Sequence, residues 1–339
     1  MGAINVKHTG SGADIALSSD GTSLLLDGTA IGGGGGDPDL YRDNLDAGAT
    51  TPSATGSNAV SIGSGSSSSG LLSIAFGYAA TSTAQCSTAI GASSGLAGSR
   101  AIANGAVALG GSSASGVNSF AAAIASNSAS YGATGSSSVA IGQNAKASHS
   151  TAVALGGSYN TSSGPRSVTL GGEVNTASAE NSYAFGVRSV ADKIGQYAFG
   201  NWIGQQGGLM VLQAATTNAT PKAMSSSSSG ASYNNQLILP NNSAYSFSGT
   251  IIARQQAADG SNYASWEIKG ALLRDANAAS TVLGNGIVNK LFATAGASAW
   301  AIALTADTTN GGLKVEATGA AATDIRWVAT VNTSEVTYA

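Results

Sequence analysis

The chain has 339 residues, a formal net charge of −3, 42% hydrophobic, 9% charged and 6% aromatic residues, with 47 glycines and 5 prolines. Much of the apolar share is alanine, which speaks against one large core, and the low charge and scarce proline speak against disorder. Without clustered Lys and Arg there is no footprint for nucleic acid or an anionic membrane; Cys86 alone allows no intrachain disulfide or multi-cysteine metal site; and no apolar run approaches the roughly 18 residues needed to span a bilayer, so no membrane insertion is expected.

Residues 1–31 predict a small β element, with the alternating ADIALS, a turn at SSDG (18–21) and the run TSLLLDG. MGAINVKHTGSGADIAL lacks the basic start and apolar stretch of a secretion signal, so export is not expected. Residues 32–56 form a linker region. GGGGG (32–36) lacks the GK[ST] of a phosphate-binding loop and reads as a hinge. DPDLYRDNLDAG follows as a short helix, with Asp37 as N-cap, Pro38 at the first helical position, and Leu40 and Leu45 on its length.

Residues 57–206 repeat themselves. Apolar-x-apolar-Gly recurs as VSIG (60–63), IAFG (74–77), TAIG (88–91), VALG (107–110), VAIG (139–142), VALG (153–156), VTLG (168–171), YAFG (183–186) and YAFG (197–200), with a degenerate unit near AAAIAS (121–126). Most glycines are 14 or 15 residues apart, and that period holds two short strands and two tight turns, one coil of a β-solenoid. The expected repeat core is Val60, Ile62, Gly63, Ile74, Phe76, Gly77, Val139, Ile141, Gly142, Val153, Leu155, Gly156, Val168, Leu170 and Gly171. Within a strand, side chains alternate faces, so Val139 and Ile141 are expected to face Ala145 and Ala147 across a narrow interior. Ala140, Ala154, Ala184 and Ala198 then point outward, on a surface otherwise made of Ser, Thr, Asn and Gly. Such a thin coil buries little against a backbone ordering cost of about 1–2 kcal/mol per residue, so association of identical chains through the alanine faces is expected, as a homotrimer; the spacing itself does not give the number three.

The cadence SVAIGQNAKA (138–147) resembles the head repeat of trimeric autotransporter adhesins over about residues 57–200. The resemblance implies a trimeric left-handed parallel β-roll. The chain departs from those adhesins in having no long heptad stalk and no terminal membrane-anchor segment.

Residues 207–339 change character after Trp202 and GQQGG. AMSSSSSGAS (223–232) reads as a polar loop. YSFSGTIIARQQ, NYASWEIKGALLR, SAWAIALTAD, GGLKVEATG and TDIRWVATVNTSEVTY read as strands separated by DG, GNG and NGG turns, together an antiparallel β-sandwich. This tail, over roughly residues 209–339 and especially in AWAIALTADTTNGGLKVEATGAAATDIRWVATVNTSEVT, resembles C-terminal domains of tailed-phage virion proteins, notably fibres and tail-associated structural proteins. Together the two resemblances imply an all-β fibre or spike on the surface of a phage virion. Its N-terminus would bind other virion proteins, and its C-terminal domain would meet a host polysaccharide or protein. A purely structural fibre, a polysaccharide depolymerase and an adhesin fragment are the alternatives.

Catalysis finds little material, and the chain is expected not to be an enzyme and to carry no metal or cofactor. His8 and His149 lie in separate segments, with His149 in a solvent-facing turn. Glu173, Glu180 and Asp192 are scattered, while Asp259, Glu267, Asp275 and Asp307 read as turn or exposed-face residues. DTTNGG (307–312) is oxygen-rich but lacks the downstream bidentate Glu of a Ca²⁺ loop, and reads as a type I′ turn. Trp266, Trp300 and Trp327 read as core residues and Cys86 as a small packed one.

Overall fold

A computed structural model describes residues 4–6, 15–19, 24–26, 29–30, 50–92, 98–122, 130–256 and 262–338. The expected glycine hinge and short helix, His8 and Asp259 lie outside the described residues. At the N-terminal end the strands Ile4–Val6, Ile15–Ser19, Leu24–Leu26 and Thr29–Ala30 pair antiparallel in chain order.

The repeats build two parallel ladders. One ladder has ten rungs, from Val60–Ile62 to Tyr197–Trp202, including Phe120–Ala122 where the sequence had only a degenerate unit. The other is made of ten two-residue strands, from Ser53–Ala54 to Val190–Ala191. Their register keeps like on like: Val139 pairs Val153, Ala140 pairs Ala154 and Ile141 pairs Leu155. Two residues before most rungs of the longer ladder the backbone turns left-handed, at Asn58, Leu72, Cys86, Asn118, Ser137, Thr151, Arg166 and Asn181. At the start of the same turns Gly70 is obligatory for space, since a Cβ there would meet the Ala84 carbonyl oxygen at 2.0 Å.

The direction of the side chains is the reverse of the expectation. On the long ladder Ala140, Ala154, Ala184 and Ala198, expected outside, lie inside the coil at 0–1% exposure, beside Ala145 and Ala147, which were expected there, while Ile74 and Phe76 stand outside at 41% and 51%. The reason is width. The inward rung positions hold Ala, Ser and, once, Thr169, so the space between the ladders takes small groups and the bulky alternate residues leave on the far face. Serine, expected on the surface, shares this interior and satisfies itself there. Ser61 bonds Ser66 at 2.8 Å, Ser68 bonds Ser73 at 2.6 Å and Ser82 bonds Ser87 at 2.7 Å. Further along, buried Asn160 and Asn175 form a short amide ladder. The Asn175 amide donates to Asn160 Oδ1 at 3.1 Å and to the carbonyls of Gly171 and Gly186. Such pairing is what allows polar groups to be buried without net loss.

Beyond the roll, nine strands form the C-terminal tip: β1 (Gln205–Thr216), β2 (Lys222–Ala223), β3 (Leu237–Ile238), β4 (Ser243–Gln255), β5 (Tyr263–Arg274), β6 (Val282–Ala293), β7 (Ala301–Asp307), β8 (Gly312–Thr318) and β9 (Ile325–Thr337). They form two antiparallel sheets, β6-β5-β4-β9-β1 and a smaller one in which β8 pairs β2, β3 and β7. One apolar core lies between them, with Leu212, Phe247, Ile251, Trp266, Ile268 and Trp327 from the larger sheet and Leu313, Val315 and Ala317 from the smaller. The larger sheet is not separate from the roll: β1 pairs antiparallel with the last rung, Tyr197 opposite Leu209 and Phe199 opposite Gly207. Among the described residues no helix is long and apolar enough to cross a membrane.

Ala140→Leu inserts three carbons where no space exists. It is expected to destabilise the protein by about 1–3 kcal/mol, as overpacked cores do, and differential scanning calorimetry of the purified chain would register the fall in Tm.

Candidate functional site

The alternation that sends alanine inward sets two columns of larger side chains on the outer face of the long ladder. One column runs Val60, Ile74, Thr88, Val107, Phe120, Val139, Val153, Val168, Tyr183, Tyr197. Beside it, two residues on in each rung, runs Ile62, Phe76, Ile90, Leu109, Ala122, Ile141, Leu155, Leu170, Phe185, Phe199. At about 4.8 Å per rung the columns extend roughly 45 Å. Their lower members stack ring on ring, Tyr183 on Tyr197 at 4.4 Å and Phe185 on Phe199 at 5.6 Å between centroids. A face of this length that is apolar at every position but Thr88 is far more than scattered exposed residues on a monomer surface.

Where the columns reach the tip they meet an open groove of about 780 Å³, lined by Phe185, Phe199, Gln205, Ala244, Ala271 and Val336 among others. The Phe199 ring lies over Gly207, where a Cβ would come within 2.2 Å of it, so the glycine makes the seat for the ring. Under this floor sits a buried carboxylate. Glu335, 4% exposed, accepts from Thr333 Oγ1 at 2.5 Å and from Gln206 Nε2 at 2.7 Å, and Gly208 leaves room for it. Burial raises its pKa above the ordinary carboxylate value, helped by the neighbouring Asp192 and opposed by the hydrogen bonds from Thr333, Gln206 and Tyr245. The Tyr245 phenol is raised as well, first by burial and then by Glu335. Buried Lys193 closes the cluster, bonding Asp192 at 2.8 Å and lying 4.1 Å over the Tyr233 ring. Sequence reading missed this group because its members come from four distant segments; the one available signal was an acid, Glu335, in an inward position of an alternating strand.

The other residues singled out from the sequence are dispersed. Trp266, Trp300 and Trp327 are core residues, with Trp327 5.4 Å from Trp266 and 5.8 Å from Trp300. His149 is exposed, its Nδ1 accepting from the Ser150 backbone N–H at 2.8 Å. Cys86 is also exposed, contrary to expectation, because it occupies a left-handed turn position with φ of 56° rather than a packed strand. Glu180 pairs with Arg166 on the roll surface. The DTTNGG turn spans four residues, Thr308 to Gly311, and only Gly311 has positive φ, so it is not type I′. Asp307 closes it by accepting from the backbone of Thr309 and Asn310 and from the Asn310 amide. Partial burial pushes the Asp307 pKa up, but these bonds outweigh it and hold the group below its ordinary value. Among the described residues no three His, Cys, Asp or Glu side chains are grouped to hold a metal ion.

Comparison with known proteins finds the YadA head domain repeat in two copies, at residues 68–94 and 133–158. Both copies fall on the roll, and the chain therefore carries repeats of the trimeric autotransporter adhesin head type. No curated protein matches the chain. Among solved structures it is similar to the crystal structure of the Acinetobacter phage vB_ApiP_P1 tailspike protein, at 10% identity and a TM-score of 0.20, covering 77% of this chain and 50% of that one. The chain spans half the length of that protein, and at this TM-score the two do not superpose as one fold. The expectation that the chain is not an enzyme is corrected here: a tailspike stands among the similar structures, and at this TM-score it neither assigns nor excludes an activity, so the exclusion of catalysis does not stand. The reasoning behind the exclusion had also counted scattered acids without Glu335.

Because Glu335 has a raised pKa in the native chain, its carboxylate detracts from stability above that pKa, and this loss fades as pH falls through it. Glu335→Gln is therefore expected to raise Tm at pH 8, and the difference from the parent should shrink toward pH 5 in a series of thermal melts.

Proposed function

We propose that the chain is a subunit of a trimeric fibre or spike on a phage virion, held to the particle by residues 1–31 and presenting the tip, residues 207–339, for attachment to the host surface. Residues 32–56 join the anchor to the rod, and residues 57–206 are a rigid spacer. The observation that carries this reading is the pair of apolar columns. They are too long and too regular to stand in water, and three copies meeting about a common axis would bury them as a shared core. Val60, Ile62, Ile74, Phe76, Val139, Ile141, Val153, Leu155, Val168 and Leu170 would then be core residues between chains rather than within one, with Gly63, Gly77, Gly142, Gly156 and Gly171 ending each rung. The adhesin-head repeats support the trimer, and the resemblance of the tail to phage virion proteins supports the location.

A rod with three tips binds by multivalency, since engagement of one raises the effective concentration of the other two. A fibre with no receptor role would share the rod but not this property. Sedimentation equilibrium is expected to give three times the 32.9 kDa chain mass. Replacing both Phe185 and Phe199 by Ser should shift the distribution toward monomer at micromolar concentration. Purified trimer added to host cells should reduce particle adsorption; a monomeric parent chain, or undiminished adsorption, would remove the corresponding half of the reading.

A further inference from the structure

The outer face of the larger tip sheet is wider than the roll it continues. Tyr197 of the last rung sits opposite Leu209, which pairs Asn332, which pairs Ser248. Six residues further along β9 and β4, Arg326 and Arg254 stand directly opposite one another, and Tyr263 of β5 stands opposite Arg254. Six residues of strand carry this row about 20 Å to the side of the apolar columns. All three side chains are exposed.

Two like charges in directly opposed cross-strand positions repel one another. Among the described residues no acid pairs with either of them. The ion pairs among the described residues are Arg166 with Glu180, Lys193 with Asp192 and Lys314 with Glu316, and neither the Arg254 nor the Arg326 side chain has a described hydrogen bond. Asp324, two residues before Arg326, and Glu267, four residues beyond Tyr263, stay outside ion-pair distance of both. Next to the cations lies an aromatic platform: Tyr263 stacks on Phe292, 5.0 Å between centroids with 28° between planes, and exposed Ile252 and Val328 lie in the adjoining row.

We propose that Arg254, Arg326, Tyr263 and Phe292 form a binding site for an acidic polysaccharide, the guanidinium pair taking a carboxylate and the rings lying against a sugar face. Planar guanidinium forks hold carboxylates with two parallel hydrogen bonds. A second copy of the chain would bring the same two cations and so does not suit the site, and two cations on a chain of net charge −3 are too few for a nucleic-acid backbone. The site deepens the host-attachment reading given above and rests on it for its biological role, while its chemistry stands apart from it.

The test uses the full-length protein and two immobilised probes, alginate as a polyuronate and dextran as an uncharged polysaccharide, in biolayer interferometry at low and high salt. The parent should bind alginate, weakening with salt, and should not bind dextran. Arg254→Gln with Arg326→Gln should lower alginate affinity at least about tenfold, while Arg188→Gln, on the exposed roll surface, should leave it unchanged. Should the double variant melt early, the Arg254→Lys and Arg326→Lys pair, which keeps charge without the fork, should show an intermediate loss at parent Tm. Parent affinity in the double Gln variant, an equal loss with Arg188→Gln, or equal binding to dextran would overturn the site. Alginate binding through the arginines without any effect on particle adsorption would remove the attachment reading and leave the site. Equal blocking of adsorption with and without the arginines, together with equal alginate binding, would remove the site and leave the attachment reading.

Discussion

The narrowness of the roll interior is the constraint from which the rest of the structure follows. With two ladders so close that alanine and serine fill the gap, each rung can place only its smallest residue inside. Alternation then leaves the apolar Val, Ile, Leu, Phe and Tyr positions outside, where parallel in-register pairing collects them into columns. Interior economy and exterior stickiness are thus one choice. A roll with valine inside would be wider, better able to stand alone, and would offer a polar surface to its surroundings.

Much of the architecture was legible in the chain. The apolar-x-apolar-Gly spacing marked nine of the ten long-ladder rungs, and the tenth, Phe120–Ala122, was faint because alanine replaced the usual second large residue. The facing of the rungs was not legible, because period-two alternation names two faces without saying which is inside; only the distance between ladders decides that. Four of the nine tip strands were also missed, the two-residue β2 and β3 and the long β1 and β6. β1 begins in GQQGG, which looked like a terminator, yet those glycines are strand residues required by the Phe199 ring and the Glu335 carboxylate. β6 contains GNG, which looked like a turn, but Asn285 at φ of 48° belongs to an irregular stretch where β5 and β6 shift register, and the strand runs on to Ala293.

The site residues divide in the same way. Tryptophans within apolar alternation reported their own burial. The Glu335 cluster did not, since it joins the end of the roll to the first, fourth and last strands of the tip, and such proximity is a property of topology rather than of spacing. It also sits where the parallel ladder hands over to antiparallel pairing, a place where a polar group from one module must be answered by the other. Gln206 shows this directly, linking Glu335 to the backbone of Val190 on the second ladder.

The in-register stacking has a further consequence for how such a rod can vary. Every rung meets its neighbours through the same pairing, so a whole coil of 14 or 15 residues could be gained or lost by recombination between near-identical segments, lengthening or shortening the shaft by about 4.8 Å while leaving both columns aligned. A lone inserted residue would instead flip a rung, exchanging alanine for valine in a gap that admits only the former. Length is therefore inherited in quantised steps, and the C-terminal strands can be set nearer to or farther from the first rung without any change in their own sequence.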